Sequence, residues 1–219
     1  MDTYLILQYD NRPLSNYKKI MNINKQYCKK YNYEYTFIDK EYDLPPYWVK
    51  VFLIYTLLPK YKGILWLDTD ACIYNFDISL TDMLLKDKHF YSCPDNKIWD
   101  SPFNAGIFFV LNTEIGLKIM HSWLTTYDKN RWKKKDNIWK ASCRWASTCY
   151  EQGSFVKNIL PKYSNYIHSF PWRFFQSFYS DLKKNKSRVF TLHFTGISAE
   201  EELHAFLKNK IKRKTRKRS

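Results

Sequence analysis

With 219 residues, 45% of them hydrophobic and 19% aromatic, the chain can bury a sizeable single core, which excludes wholesale disorder. Its formal net charge is +15, but eight basic residues lie between Lys208 and Ser219 and leave +7 for the rest. No stretch approaches the ~20 apolar residues needed to span a bilayer, and the N-terminus lacks the basic start and long apolar run of a signal peptide. The expected organisation is one catalytic-size domain over 1–207 and a solvated, disordered basic tail over 208–219. That tail is a candidate contact for an anionic membrane surface or nucleic acid. Five cysteines, Cys28, Cys72, Cys93, Cys143 and Cys149, lack C-x-x-C spacing and read as reduced thiols of a cytosol-like compartment.

Thr3 to Tyr9 is apolar and β-prone, a first strand stopped by Asp10-Asn11-Arg12-Pro13. In an α/β fold, residues at the end of a first strand hold a nucleotide's base or ribose; an ordinary turn before Pro13 accounts for them equally well. Ser15 is placed to cap a helix whose buried face carries Tyr17, Ile20, Tyr27 and Tyr31. Tyr33, Tyr35 and Phe37 alternate with Glu34 and Thr36 as a second strand. Pro45-Pro46 then introduces a helix over about 47–58, with Trp48, Val51, Phe52 and Tyr55 as its buried stripe and Lys50 near its start.

Gly63-Ile-Leu-Trp-Leu67 is a short, continuously apolar run and reads as a fully buried parallel strand. It ends in Asp68-Thr69-Asp70, at the carboxyl end of the strand, where open α/β sheets place their ligands. Residues i and i+2 of extended chain point the same way, so both carboxylates can converge on one point. Like charges ~4 Å apart repel by about 4 kcal/mol at an effective dielectric near 20. A divalent cation relieves this, and hard oxygen ligands favour Mg²⁺ or Mn²⁺.

Further on, a short helix is expected over 79–85, a strand over 89–93 and a polar loop over 94–103. Asn104-Ala105-Gly106 opens a second buried strand, Ile107 to Leu111, with Gly106 allowing close backbone approach. A helix follows over 113–127. The basic, Trp-containing segment 128–148 reads as a long loop of the lid or binding type. Glu151-Gln152 lies on the first turn of a helix, and 167–173 is an aromatic loop. Val189 to Phe194 is a strand leading to His193-Phe-Thr-Gly196. Ser198 and Glu201 form a capping box for a last helix. His193, at the end of a late strand, is the best third metal ligand.

Leu-Trp-Leu-Asp68-Thr69-Asp70-Ala, then Asn104-Ala105-Gly106, Glu151-Gln152 and His193-Phe-Thr-Gly196, together with Trp48-Val-Lys50, form an ordered set. The set resembles the GT-A fold of glycosyltransferases: an α/β fold with a central, mostly parallel twisted sheet flanked by helices. More narrowly it is similar to glycosyltransferase family 34, the fungal galactosyl- and mannosyltransferases and plant xyloglucan xylosyltransferases, over about Tyr4 to Gly196. The resemblance implies a metal-dependent transferase that moves a hexose or pentose from a nucleoside-diphosphate sugar, UDP-sugar by preference, to a hydroxyl of a glycan or other acceptor with retention. It implies Asp68, Asp70 and His193 as ligands of Mn²⁺ or Mg²⁺. It gives Lys50, Asp68, Asn104 and Gly106 to donor binding, and with the strand-end residues Tyr9, Asp10 and Asn11 and the neighbouring Thr69, Ala105 and Gly196 these make the expected donor set. Gln152 falls beside the anomeric carbon and Glu151 is its acidic neighbour. Where the family has a lysine shortly after the histidine, Ile197 and Ser198 stand here.

Two other classes compete. A haloacid-dehalogenase-type phosphatase also begins with an apolar strand and D-x-D, but on its first strand, whereas two predicted strands precede Asp68. A non-catalytic basic adaptor would bind nucleic acid or an anionic surface through 208–219. The sequence as it stands reads as a soluble, cytoplasmic catalytic module of viral or bacterial type.

Overall fold

Strand β1 (Tyr4–Tyr9) is buried along its whole length, as a run apolar but for Gln8 requires when helices cover both faces of a sheet. The computed structural model describes residues 2–12, 17–96, 100–183 and 188–216. Helix α1 (Lys18–Tyr31) follows β1; Ser15, expected as its cap, lies outside the described residues. Then come β2 (Glu34–Ile38), α2 (Pro46–Leu57), β3 (Gly63–Leu67), the short β4 (Ala71–Ile73), β5 (Phe90–Ser92) and β6 (Ile107–Leu111). A 3₁₀ turn at Thr81–Met83 replaces the short helix expected over 79–85.

The main sheet has the order β2-β1-β3-β6-β5-β9, where β9 is Ile167–Ser169. Pairs β1–β2, β1–β3 and β5–β9 are parallel, while β6 runs antiparallel to both β3 and β5. Sheet and helices form three layers. Leu5, Leu7 and Tyr9 of β1 face α2 and helix α3 (Glu114–Leu124). Tyr4 and Ile6, on the other face, meet Tyr27 and Cys28 of α1. This is the two-residue period of extended chain, apolar on both sides. Among the described residues, no helix is long and apolar enough to cross a membrane.

Two expectations for 128–148 are corrected. The segment contains a hairpin of β7 (Trp132–Lys135) and β8 (Ile138–Ala141). Asp136 and Asn137 have φ of 51° and 60°, the positive pair that a two-residue hairpin turn requires. Cys143 and Cys149 are joined as a disulfide, so the reading of five reduced thiols holds only for the buried Cys28, Cys72 and Cys93.

Helix α4 (Glu151–Ser154) continues through a π-turn (Phe155–Ile159) into α5 (Leu160–Tyr163). The widened turn comes just before Pro161, which has no N–H to donate. The aromatic stretch expected as a loop instead supplies β9 and α6 (Trp172–Phe175). Strand β10 (Thr191–His193) pairs antiparallel with β4, and α7 (Ala199–Arg216) covers that pair with Leu203 and Phe206. Helix α7 thus extends into the segment 208–219.

Candidate active site

The rim of the sheet is made where β3 ends and its antiparallel neighbour β6 begins. The Asp68 backbone N–H donates to Gly106 O at 2.8 Å. On the side-chain face, Asp68 Oδ1 accepts from Trp66 Nε1 (2.8 Å) and Lys50 Nζ (2.9 Å). Trp66 reaches Asp68 because residues two apart share a face of the strand.

His193 arrives from 123 positions along the chain. The β10–β4 register sets His193 opposite Ala71, and Phe194 N–H donates to Asp70 O at 2.8 Å. His193 Nε2 then lies 3.1 Å from Asp70 Oδ1. Its Nδ1 meets Gln176 Oε1; since that oxygen only accepts, Nδ1 carries the proton and Nε2 is turned toward Asp70. Gly106 makes room for the ring, because a Cβ there would sit 2.5 Å from His193 Cε1. Beyond β10 the backbone turns at Gly196 with φ +82°, a conformation suited to glycine. Burial, the largest single influence, would push the Asp70 carboxyl up and the His193 imidazole down, yet the partner's charge and the hydrogen bonds together outweigh it. The carboxyl is held below and the imidazole above its ordinary range.

A buried amide pair carries the turn between β3 and β4. Gln8 Nε2 donates to Asp68 O (3.0 Å), and Gln8 Oε1 accepts from Asn24 Nδ2 (3.0 Å) and the Tyr35 hydroxyl (2.7 Å). Asn24 also donates to Ala71 O (3.2 Å) and accepts from Ile73 N–H (2.9 Å). Backbone groups on both sides of Asp70 are therefore fixed by side chains of β1 and α1. Within the turn, Thr69 Oγ1 donates to Asp10 Oδ2 at 2.8 Å, and Asp10 in turn holds Arg12. Burial works to raise the Asp10 carboxyl, but hydrogen bonds from Arg12 and Thr69 keep it below the usual range.

Lys50 is buried and spent on protein groups. Its Nζ donates to Asp68 Oδ1 and to Ala105 O (3.0 Å) and lies 3.4 Å from Glu151 Oε1. Burial disfavours its charge, but Asp68 and Glu151 more than restore it. Glu151, only 5% exposed, is pushed up by burial and by Asp68, against the pull of Lys50. Gln152 Oε1 accepts from Ala105 N–H at 3.0 Å, and Asn104 Oδ1 accepts from Gly106 N–H at 2.7 Å. Three indoles pin the chain just ahead of this pair: Trp48 Nε1 and Trp132 Nε1 donate to Cys149 O, and Trp123 Nε1 to Glu151 O.

A cleft of about 250 Å³ opens at this rim, lined by Tyr9, Asp10, Asn11, Arg12, Pro46, Tyr47, Lys50, Trp66, Asp68, Thr69 and Asp70. The sequence reading therefore placed Tyr9, Asp10, Asn11, Lys50, Asp68, Thr69 and Asp70 around one cavity. Asn104, Ala105, Gly106 and Gln152 adjoin it through Lys50 and Asp68, whereas Glu151 lies beneath, in contact with Lys50. Gln8, Asn24, Gln176 and the indole donors were not foreseen. A larger groove of about 630 Å³ between α2 and α3, lined by residues such as Tyr55, Leu117 and His121, lies away from these groups.

Asp68, Asp70 and His193 each offer a ligand atom, and these lie within 4.8 Å of one another. Two carboxylate oxygens and an imidazole nitrogen whose other nitrogen is already bonded suit a divalent ion of the Mn²⁺ or Mg²⁺ kind. The proton shared by Asp70 and His193 is the one such an ion displaces.

Residues 6–98 match the model of the galactosyl transferase GMA12/MNN10 family, a stretch that includes Lys50, Asp68 and Asp70. Over 151 residues the chain is 27% identical to an uncharacterized alpha-1,2-galactosyltransferase of Schizosaccharomyces pombe, covering 51% of this chain and 40% of that protein. The chain thus spans about two fifths of the length of that relative. A glycosyltransferase involved in glycosylation of the major capsid of PBCV-1 superposes with a TM-score of 0.71 at 16% identity, over 93% of this chain and 98% of that one. The bifunctional glycosyltransferase WbbM, in its apo structure, superposes with a TM-score of 0.50 at 11% identity, over 89% of this chain and 46% of that one. The fold is GT-A.

Proposed function

We propose that this chain is a metal-dependent glycosyltransferase that moves a hexose or pentose from a UDP-sugar to a hydroxyl of a glycan or similar acceptor, with retention. The family match and the fold support sugar transfer. The observation that carries the donor and metal reading is the meeting of Asp68, Asp70 and His193 at the rim of a cleft.

In this reading Asp68, Asp70 and His193 hold Mn²⁺ or Mg²⁺, which when bound stabilises the charge growing on the departing diphosphate. Tyr9, Asp10 and Asn11 face the nucleoside, with Thr69 fixing Asp10. Lys50 orients Asp68 while bonding Ala105 O, so one cation ties the metal corner to the sugar pocket. Asn104, Ala105 and Gly106 line that pocket, and the Gly196 backbone closes its phosphate side. Gln152 lies beside the anomeric carbon in this reading, and the second lone pair of its Oε1, which also accepts from Ala105 N–H, steadies positive charge there. Glu151 acts through Lys50 as a positioning carboxylate. Retention requires the acceptor hydroxyl to enter on the face the diphosphate leaves, with its proton passing to the leaving phosphate.

The test is a nucleotide-sugar hydrolysis screen with Mn²⁺ present and absent, run on the wild type and on Asp70→Ala. Wild type should release nucleoside diphosphate from at least one donor only with metal. Asp70→Ala should lose that release and the Mn²⁺ signal change in electron paramagnetic resonance, while keeping its circular dichroism. Metal-independent turnover, or turnover undiminished in Asp70→Ala, overturns the assignment.

A further inference from the structure

The cleft is formally anionic. Its lining sets the carboxylates Asp10, Asp68 and Asp70 against the cations Arg12 and Lys50, a balance of −1 that a divalent ion raises only to +1. A nucleoside diphosphate brings about two further negative charges, and binding it in a partly dry cleft needs a cation that faces outward. Lys50 does not: its side chain is 8% exposed and its ammonium is committed to Asp68, Glu151 and Ala105. Residues 194–198 after His193, Phe-Thr-Gly-Ile-Ser, bring no cation.

Arg12 does face outward, with 76% of its side chain exposed. It is nevertheless held in place. Asp10, itself 4% exposed in its side chain, takes the Arg12 backbone N–H (2.9 Å), Nε (2.9 Å) and Nη2 (2.7 Å). The same carboxylate accepts from Thr69 Oγ1 at 2.8 Å, the residue between the two metal-binding aspartates. A guanidinium has two donor edges. Asp10 occupies the Nε–Nη2 edge, and the Nη1–Nη2 edge remains for a second oxyanion on the cleft side. The charge of Asp70 acts on Arg12, which places the guanidinium near the metal corner.

We propose that Arg12 is the residue that grips the donor's diphosphate, with Asp10 as its positioning carboxylate and Thr69 coupling both to the metal turn. This rests on the nucleotide-sugar reading above and gives it a phosphate-binding residue. It also changes the role of Asp10, whose oxygens are taken up by Arg12 and Thr69 and serve the phosphates indirectly.

The experiment is calorimetric titration of UDP and UMP in Mn²⁺ against wild type, Arg12→Ala, Arg12→Lys and Asp10→Asn, with Mn²⁺ binding measured separately by electron paramagnetic resonance. Arg12→Ala should weaken UDP by roughly tenfold or more and cut the preference for UDP over UMP by a similar factor. Its Mn²⁺ affinity should stay at the wild-type value, while its melting temperature should fall, because the buried Asp10 carboxylate loses its cation. Arg12→Lys should fall between, keeping charge without the fork, and Asp10→Asn should mimic it. If Arg12→Ala binds UDP as wild type does, or weakens UDP and UMP equally, the inference is overturned and the donor reading stands. If wild type binds neither UDP nor UMP in Mn²⁺, the donor reading falls and takes this one with it.

Discussion

Lys50→Met isolates the energetic knot beneath the cleft. One ammonium serves Asp68 at 2.9 Å and Glu151 at 3.4 Å. Each contact is worth about 5 kcal/mol of bare attraction at an effective dielectric near 20. Most of that offsets the desolvation of the charges, so the measurable quantity is the cost of leaving the partners behind, about 3–5 kcal/mol for a buried pair. Asp68 has 33% of its side chain exposed, so solvent screens part of its share, and a loss of about 3 kcal/mol is expected. Urea denaturation read by tryptophan fluorescence measures it. Adding Glu151→Gln should recover about half of the loss, because an amide needs no counter-charge.

The pH dependence has a definite sign. Without Lys50 the Glu151 carboxyl, already raised by burial and by Asp68, rises further in the folded state. A raised folded value favours the protonated folded protein, so the penalty of Lys50→Met is relieved at low pH and grows as pH climbs through that value. The deficit should therefore be smaller at pH 5 than at pH 8. A deficit below about 1 kcal/mol, one that does not change with pH, or no recovery on adding Glu151→Gln would refute the reasoning.

Gln176→Leu removes the acceptor on His193 Nδ1 and should weaken Mn²⁺ binding by about tenfold to a hundredfold. Gln176→Glu, which keeps an acceptor there, should stay within a few fold of wild type, and equal losses in both would refute the orienting role. Gly106→Ala puts a methyl group where the His193 ring lies, 2.5 Å from Cε1. It should lower Mn²⁺ affinity as strongly as loss of the imidazole in His193→Ala, and wild-type affinity would show that the ring has room to shift.

The part of the site that could be read from the sequence is the part built by local chain. Ile64 to Leu67 and Ile107 to Leu111 are unbroken apolar runs, and only a strand buried on both faces accounts for them at that length. The run ends at the sheet rim and sets Asp68 there, but Asp70 follows through a tight turn, with Ala71 N–H donating to Asp68 O at 2.9 Å, and not along extended chain as the spacing suggests. His193 was different. Nothing local says that β10 will pair with β4; the register that sets His193 against Ala71 is a long-range choice, and the sequence offered only the position of His193 at the end of a late strand, with which the family resemblance agreed. The hairpin over 132–141 was hidden because Lys133, Lys134 and Lys135 mask the alternation of a strand, and its turn, Asp136-Asn137, lacks the glycine that usually marks one. The Cys143–Cys149 pair was hidden by the odd cysteine count.

What the sequence could not show at all is the support beneath the site. Gln8, Asn24 and Gln176 are common residue types in otherwise apolar surroundings, and their meaning comes only from what they touch. A buried amide must find partners, so Gln8 inside the apolar β1 was a signal of sorts: a strand buried on both faces tolerates a glutamine only where other polar groups meet it. Here those groups are Asp68 O and Asn24, the scaffold of the metal turn. The tryptophan excess has the same explanation. Trp48, Trp66 and Trp123 are at most 1% exposed, and each spends its single N–H on Asp68 or on the chain at Cys149–Glu151. A phenylalanine would fill these sites but would leave the acceptors unbonded, at about 1–3 kcal/mol for a buried one. The aromatic richness of this chain therefore belongs to the foundations of the cleft: rings fill the core, and their polar edges fix the backbone that carries Asp68, Glu151 and Gln152.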